Sequence, residues 1–414
     1  MIRATLCLAT ILLGTGCLLP ASEGGQDAGP IEATALPDGG QATWYRDVLP
    51  VSQARCQGCH TTGGIAPFSM ETYAAVKNRF AQIANAVSSR RMPPWMPGES
   101  CGMQYVGSRR LSQAEIDVFT AWAAGGGAEG NPADAPAAIK QDALDWIDAT
   151  VTPASSYTPS ATRTDDYHCF LVDPNVTTAR SVIGYEVVPG QRSQVHHVLI
   201  YAVDKADALA KDNAEAGEGW TCFGASGINN ADLIGGWVPG TSNVRYPAGT
   251  GIPLAAGKVF AMQIHYNTSA GTRLPDTTTV KLQYARAAVI PATLIPILDY
   301  TFSIPPNAMG YTPLGHPKDF PNTLGFDARV WGVLPHMHQK GKRIAITGPR
   351  GCMVDIPQWD FHWQQQYFFT APQLVKKLEK VTLTCTWDNP TTRYVTWGEG
   401  TDDEMCLAYL YATL

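Results

Sequence analysis

Cys56-Gln57-Gly58-Cys59-His60 has the spacing C-x-x-C-H. Two thiols with an imidazole directly after the second match the attachment signature of c-type haem, in which Cys56 and Cys59 form thioethers and His60 ligates the iron. A thioredoxin-like dithiol would need a βαβ setting, which the flanking sequence lacks. A zinc site would need two more ligands close by, and the next histidine along the chain is His168. A sixth iron ligand is expected to be a methionine thioether. Arg91-Met92-Pro93-Pro94-Trp95 offers Met92 in a loop stiffened by two prolines, with Met96 second and Met103 third in rank.

A second group of metal-binding side chains lies further on. Of the eight histidines after residue 165, five fall in runs of β type: His196-His197, His265, and His336-Met337-His338. Residues i and i+2 of a strand share a face, so His336 and His338 can grip one ion together. Adjacent His196 and His197 need a twist or bulge to do the same. Gln263 shares the face of His265. Imidazole-rich ligation suits copper, zinc, iron or nickel, and the spacing alone does not choose among them. His168, His316 and His362 are read as structural or surface residues.

The elements that must carry these residues differ along the chain. From Trp44 to Gly127 the apolar spacing is helical, as in METYAAVKNRFAQIANAV and LSQAEIDVFTAWAAGG, and Ser112 with Glu115 makes a capping box for the second helix. Residues 128–165 read as a linker. From 166 onward SVIGYEVV, HHVLIYAV, KVFAMQIHYN, RVWGVLPHMH, KVTLTCTW and MCLAYLYATL are short β runs between Gly/Pro turns. The expected architecture is multidomain, a small all-α unit at 44–127 followed by all-β antiparallel sandwiches. With 30 basic and 36 acidic residues among 414, the net charge of −6 excludes the concentrated basic face that nucleic acid needs.

The N-terminus reads as an export signal over 1–16: Ile2-Arg3, then an apolar run from Leu6 to Leu13 too short to span a bilayer. Gly14-Thr15-Gly16 before Cys17 resembles a bacterial lipoprotein signal with Cys17 as the lipidated residue; it departs from that pattern at Gly14, where Leu is usual. The alternative is secretory cleavage near Ala21. Residues 17–43 are a Gly/Ala/Pro-rich tether. The mature protein is expected to be exported, periplasmic or at the cell surface of a bacterium, anchored by lipid and without a transmembrane helix.

Two resemblances sharpen the picture. Region 44–127 is similar to a class I cytochrome c domain. The ordered series QVHHVLIYAV, MQIHYNTSAG, LPHMHQKGK and TDDEMCLAYLY resembles the copper type II, ascorbate-dependent monooxygenases across roughly 166–414. That likeness implies two jelly-roll domains, 166–290 and 291–414, with one copper each and a solvent cleft between them. It implies that His196, His197 and His265 hold an electron-transfer copper, and that His336, His338 and Met405 hold the catalytic copper. A thioether beside two imidazoles favours Cu(I). It also implies the disulfides Cys385–Cys406 and Cys169–Cys222. Cys101 and Cys352 are then left over, and a bridge between them would clamp the helical unit onto the second β domain.

The implied reaction is hydroxylation of a C–H bond with O2, with electrons from ascorbate or a redox protein and relayed here through the fused haem. Leu334 and Leu407 stand where the peptide-amidating members bind a carboxylate through Arg and Asn. With Tyr409 and Gln263 they are the expected substrate contacts, suiting a neutral, apolar or aromatic substrate rather than a carboxylate. The alternative is a non-catalytic haem/copper electron-transfer or copper-binding protein.

Overall fold

Strands whose apolar and polar side chains alternate have two unlike faces, and from residue 149 onward the chain folds almost entirely into them. Lys380–Asn389 shows the pattern plainly: Val381, Leu383, Cys385 and Trp387 point inward while the lysine, threonines and aspartate between them point out. The computed structural model describes residues 41–414 except 63–65, 139–142, 239–240, 242, 270, 272, 399 and 401, and the side chain of His362. The export segment, Cys17 and nearly all of the tether lie outside the described residues.

Three sheets build two sandwiches. A five-stranded sheet contains Asp165–Val172, Val259–Asn267 and Val195–Val203 as neighbours. A second five-stranded sheet is centred on Gly341–Gly348 and Lys380–Asn389. Both pack on one nine-stranded sheet, whose order runs from Arg180–Val188 through Thr250–Leu254 and Ile290–Leu298 to Leu407–Thr413, Ala328–His336 and Tyr367–Val375. The division expected near 290 is therefore a seam within a sheet. Ile290 and Pro291 pair in parallel with Thr250 and Gly251, and Tyr411 stacks on Tyr246 while its hydroxyl meets that of Thr250 at 2.9 Å.

Two expectations need correction. Ala149–Val151 pairs with Thr279–Tyr284, and Tyr157 bridges to Asp276, so the latter part of the presumed linker 128–165 belongs to the first sandwich. Nor is 44–127 a separate all-α unit. Its helices are short: Leu49–Arg55, Tyr73–Val76, Phe80–Ser88 and Gln113–Ala124. The long helix expected over METYAAVKNRFAQIANAV breaks at Lys77-Asn78-Arg79, three polar residues that add nothing to its apolar stripe. The helices share a core of Trp44, Val76, Ile83, Phe119 and Trp122, and the Ser112–Glu115 capping box is formed. Between the last two helices, however, the chain leaves them: Tyr105 is buried in the second sandwich's core, with Trp95, Met96 and Met103 packed against it. Among the described residues no helix is long and apolar enough to cross a membrane.

Candidate metal centres

His196, His197 and His265 converge. A bulge between Val195 and His197 sets His197 directly across from His265 and turns the adjacent His196 toward the same point. One ligand atom from each lies within 4.8 Å of the others, and Nδ1 of His265 is 3.3 Å from Nδ1 of His197. The other ring nitrogen of His265 meets Asp165 Oδ1 at 2.9 Å, which fixes the ring with Nδ1 facing the cluster. Tyr167 lies parallel to that ring at 4.1 Å. Burial, then the neighbouring imidazoles, hold His197 well below the usual histidine range. Imidazole nitrogens aimed at one point suit a transition-metal ion, which takes the unprotonated nitrogen.

The second group forms at the ends of two paired strands. His336 ends Ala328–His336 and sits opposite Leu407, the first residue of Leu407–Thr413. Met405 lies two residues before that strand and is buried, and its backbone N–H and that of His338 reach the same Glu404 oxygen. The His336 and His338 rings are 5.1 Å apart and nearly perpendicular. Nδ1 of His336 meets Gln364 Oε1 at 2.5 Å, and Nδ1 of His338 faces the Asp403 carbonyl at 3.2 Å. Both rings therefore turn Nε2 away from those partners, the arrangement a ligating imidazole needs. Burial lowers both, His338 to about 3.

Glu404 holds this group from behind. Its carboxylate accepts from the backbone N–H of His338 at 3.1 Å and of Met405 at 3.3 Å, and from Trp387 Nε1 at 2.9 Å. Burial pushes its carboxyl up to about 7. The Cys385–Cys406 disulfide lies in the core beside it. Cys169–Cys222 and Cys101–Cys352 are also formed, the latter across a sequence separation of 251.

Phe361 bridges the two groups, in the region where a solvent cleft was expected. Phe361 stacks on His196 at 4.7 Å and presents an edge to His338 at 5.9 Å. The joined sheet brings them together, since Leu334 and Tyr409 pair across strands and pack on the first sandwich's core. Leu334, His336, Leu407 and Tyr409 thus share one face, an apolar wall beside the histidines. Gln263 is not part of that wall. Its amide donates to the Ala225 carbonyl at 3.0 Å and lies behind the Cys169–Cys222 disulfide, fully buried, so it is removed from the substrate contacts.

Around the C-x-x-C-H run, Cys56 and Cys59 are unbridged. Burial pushes the Cys56 thiol up to about 12, the reverse of an activated redox pair. His60 Nδ1 meets the Phe68 carbonyl at 2.9 Å, which orients the ring with Nε2 on its other side. Met92 lines a small recess with Val87, Leu111 and Ile116; Met96 and Met103 lie against the second sandwich instead.

Two of the remaining histidines, His168 and His316, are structural. His168 stacks on Tyr157 and bonds the Glu218 carbonyl. His316 is buried between Asp299 and the backbone N–H of Cys385. The His362 side chain lies outside the described residues. Sequence reasoning missed Asp165, Gln364, Phe361 and Glu404. Only Glu404 carried a signal, as the acid directly before Met405 in the TDDEMCLAYLY series.

Residues 152–273 match the N-terminal domain of the copper type II ascorbate-dependent monooxygenases, and residues 302–412 match the C-terminal domain. No curated protein matches the chain. Solved structures similar to it include PNGase F, a glycosylasparaginase from Flavobacterium meningosepticum, at 9% identity, TM-score 0.28, covering 64% of this chain and 95% of that one. Another is the major capsid protein P2 of bacteriophage PM2, at 8% identity, TM-score 0.24, covering 64% and 97%. Likeness at that level carries no argument about function.

Proposed function

The chain belongs to the copper type II ascorbate-dependent monooxygenases, an oxidoreductase family that uses O2 and ascorbate, and from that premise we propose that it hydroxylates a C–H bond of a neutral, apolar or aromatic substrate. His196, His197 and His265 hold one copper and His336, His338 and Met405 the other, in two jelly-roll domains. Bound copper supplies the one-electron steps and the dioxygen activation that monooxygenation requires.

The protein's own residues do the rest. Asp165, Gln364 and Glu404 orient the ligands, so that little reorganisation accompanies reaction. Leu334 and Leu407 exclude water from one side of the site and present no charged partner for a carboxylate, with Tyr409 beside them. The observation carrying this reading is the convergence of both histidine groups on Phe361.

Cys56 and Cys59 would attach a c-type haem, and His60 and Met92 would supply donors to its iron. The unbridged pair, and the Nδ1–H of His60 tied to a carbonyl, fit that group. Such a haem supplies a one-electron carrier within the same chain. Export, with Cys17 as a lipid anchor, suits the disulfides.

Metal analysis and oxygen uptake test the proposal together. The expected result is two coppers and one haem iron per chain, with oxygen consumption that requires a reductant and is lost in His336→Ala. A single copper, or uptake indifferent to His336, overturns it.

A further inference from the structure

We propose that residues 94–106 are a positioning strap for the copper site, fastening the loop 357–366 that carries Phe361 and Gln364. This rests on the copper reading of the two histidine groups and not on the haem.

The strap first grips the two strands that flank the loop. Along Tyr367–Val375 it adds as an extra edge: Val106 N–H donates to the Phe368 carbonyl at 2.8 Å, and Thr370 N–H to the Gln104 carbonyl at 3.1 Å. Tyr105 is buried between them, and its hydroxyl donates to the Met353 carbonyl at 3.0 Å. On the other strand, Gly351–Ile356, Cys101 is bridged to Cys352 and Gly98 N–H donates to the Asp355 carbonyl at 2.7 Å.

It then holds the loop itself. Met96 Sδ accepts from Asp360 N–H at 3.3 Å, Gln365 Nε2 donates to the Pro94 carbonyl at 3.3 Å, and Trp95 stands edge-on to Tyr367 at 5.4 Å. The loop's other residues serve the site. Trp359 Nε1 donates to the His338 carbonyl, Phe361 lies between His196 and His338, and Gln364 fixes His336. Gln366 reaches the first sandwich at the Tyr185 hydroxyl, 2.7 Å away. Residues facing the strap thus interleave with residues facing the histidines. A connection this long, with one short turn at Phe361–Trp363, keeps a single conformation only when its neighbours impose it. A metal site in turn needs supporting residues that are themselves locked.

The test uses the full chain with three changes remote from the histidines: Cys101→Ser with Cys352→Ser, Trp95→Leu, and Met96→Leu. Two readouts are taken, hydrogen exchange in 357–366 of metal-free protein and the EPR spectrum of the Cu(II)-loaded form. The expected result is loop exchange faster by about tenfold, the size of a weakened local opening equilibrium, with Val259–Asn267 unchanged and an altered Cu(II) signal. Trp95→Phe should restore both.

Unchanged loop exchange in the variants overturns the proposal, as does faster exchange with an unaltered copper spectrum, which would make the strap a tether only. If the cysteine variant fails to fold, the Trp95 and Met96 variants decide. Wild-type protein that binds no copper refutes the copper reading separately, while exchange in the metal-free protein still judges the strap.

Discussion

Asp165 touches no metal position, yet it sets which nitrogen His265 presents. Removing such a carboxylate frees the ring to rotate and weakens its donor. Asp165→Ala should lower copper affinity at the His196–His197–His265 group by about 10- to 100-fold, read by competition with a Cu(I) chelator, and leave the other copper in place. A second consequence concerns pH. His197, His336 and His338 are held below the ordinary imidazole value, His338 at about 3. The unfolded chain takes up these protons near the usual value of about 6.5, so their share of stability is complete above that pH and lost as pH falls toward 3. Glu404, raised to about 7, acts the other way: its share is present below the usual carboxyl value and lost as pH rises to about 7. The Tm of metal-free protein should therefore fall between pH 6.5 and 5. His338→Gln should flatten the fall and Glu404→Gln should steepen it, both measurable by calorimetry.

At the level of the element, Met405 stands just before a strand, and its place depends on what braces the turn. The Cys385–Cys406 bridge, with a sequence separation of 21, lies directly behind it. Opening that bridge by Cys385→Ala with Cys406→Ala should cost about 3 kcal/mol from loop closure alone, seen in denaturant unfolding, and should release the copper nearest Met405 first, seen by metal analysis. The strands themselves were legible because alternation is a local property: His336 and His338 share a face by arithmetic, and the need for a bulge at His196-His197 follows from their adjacency. What resisted reading is non-local. Nothing around Phe361 marks it as the residue between two metal groups, because its place there depends on His196 and His338, far apart in sequence, being brought to it by the fold. Gln263 misled for the same reason. Its face was read correctly, but a backbone carbonyl at Ala225, reached only in the fold, takes its amide.

At the level of the molecule, the helical region and the two sandwiches are fastened into one body by the joined sheet and the Cys101–Cys352 bridge. A haem on Cys56 and Cys59 would then be held in the same body as the copper site, at high effective concentration. Cys56→Ala with Cys59→Ala should abolish covalent haem staining and lower turnover with a protein electron donor by about tenfold or more. Oxygen uptake driven by ascorbate should persist. The seam at Ile290 bears also on how the chain is made. The five-stranded sheet of the first sandwich and the strands from Ala149 to Tyr284 that face it all precede Ile290, so during synthesis that edge can stand ready when Ile290 emerges and pairs with Thr250, while the core closes only once Ala292, Leu294 and Tyr411 arrive. The second sandwich begins as an extension of a finished edge, with a template in place of a search. The helical region, made before either sandwich, must wait for Cys352 before its bridge to Cys101 can close, so the oldest part of the chain is secured late.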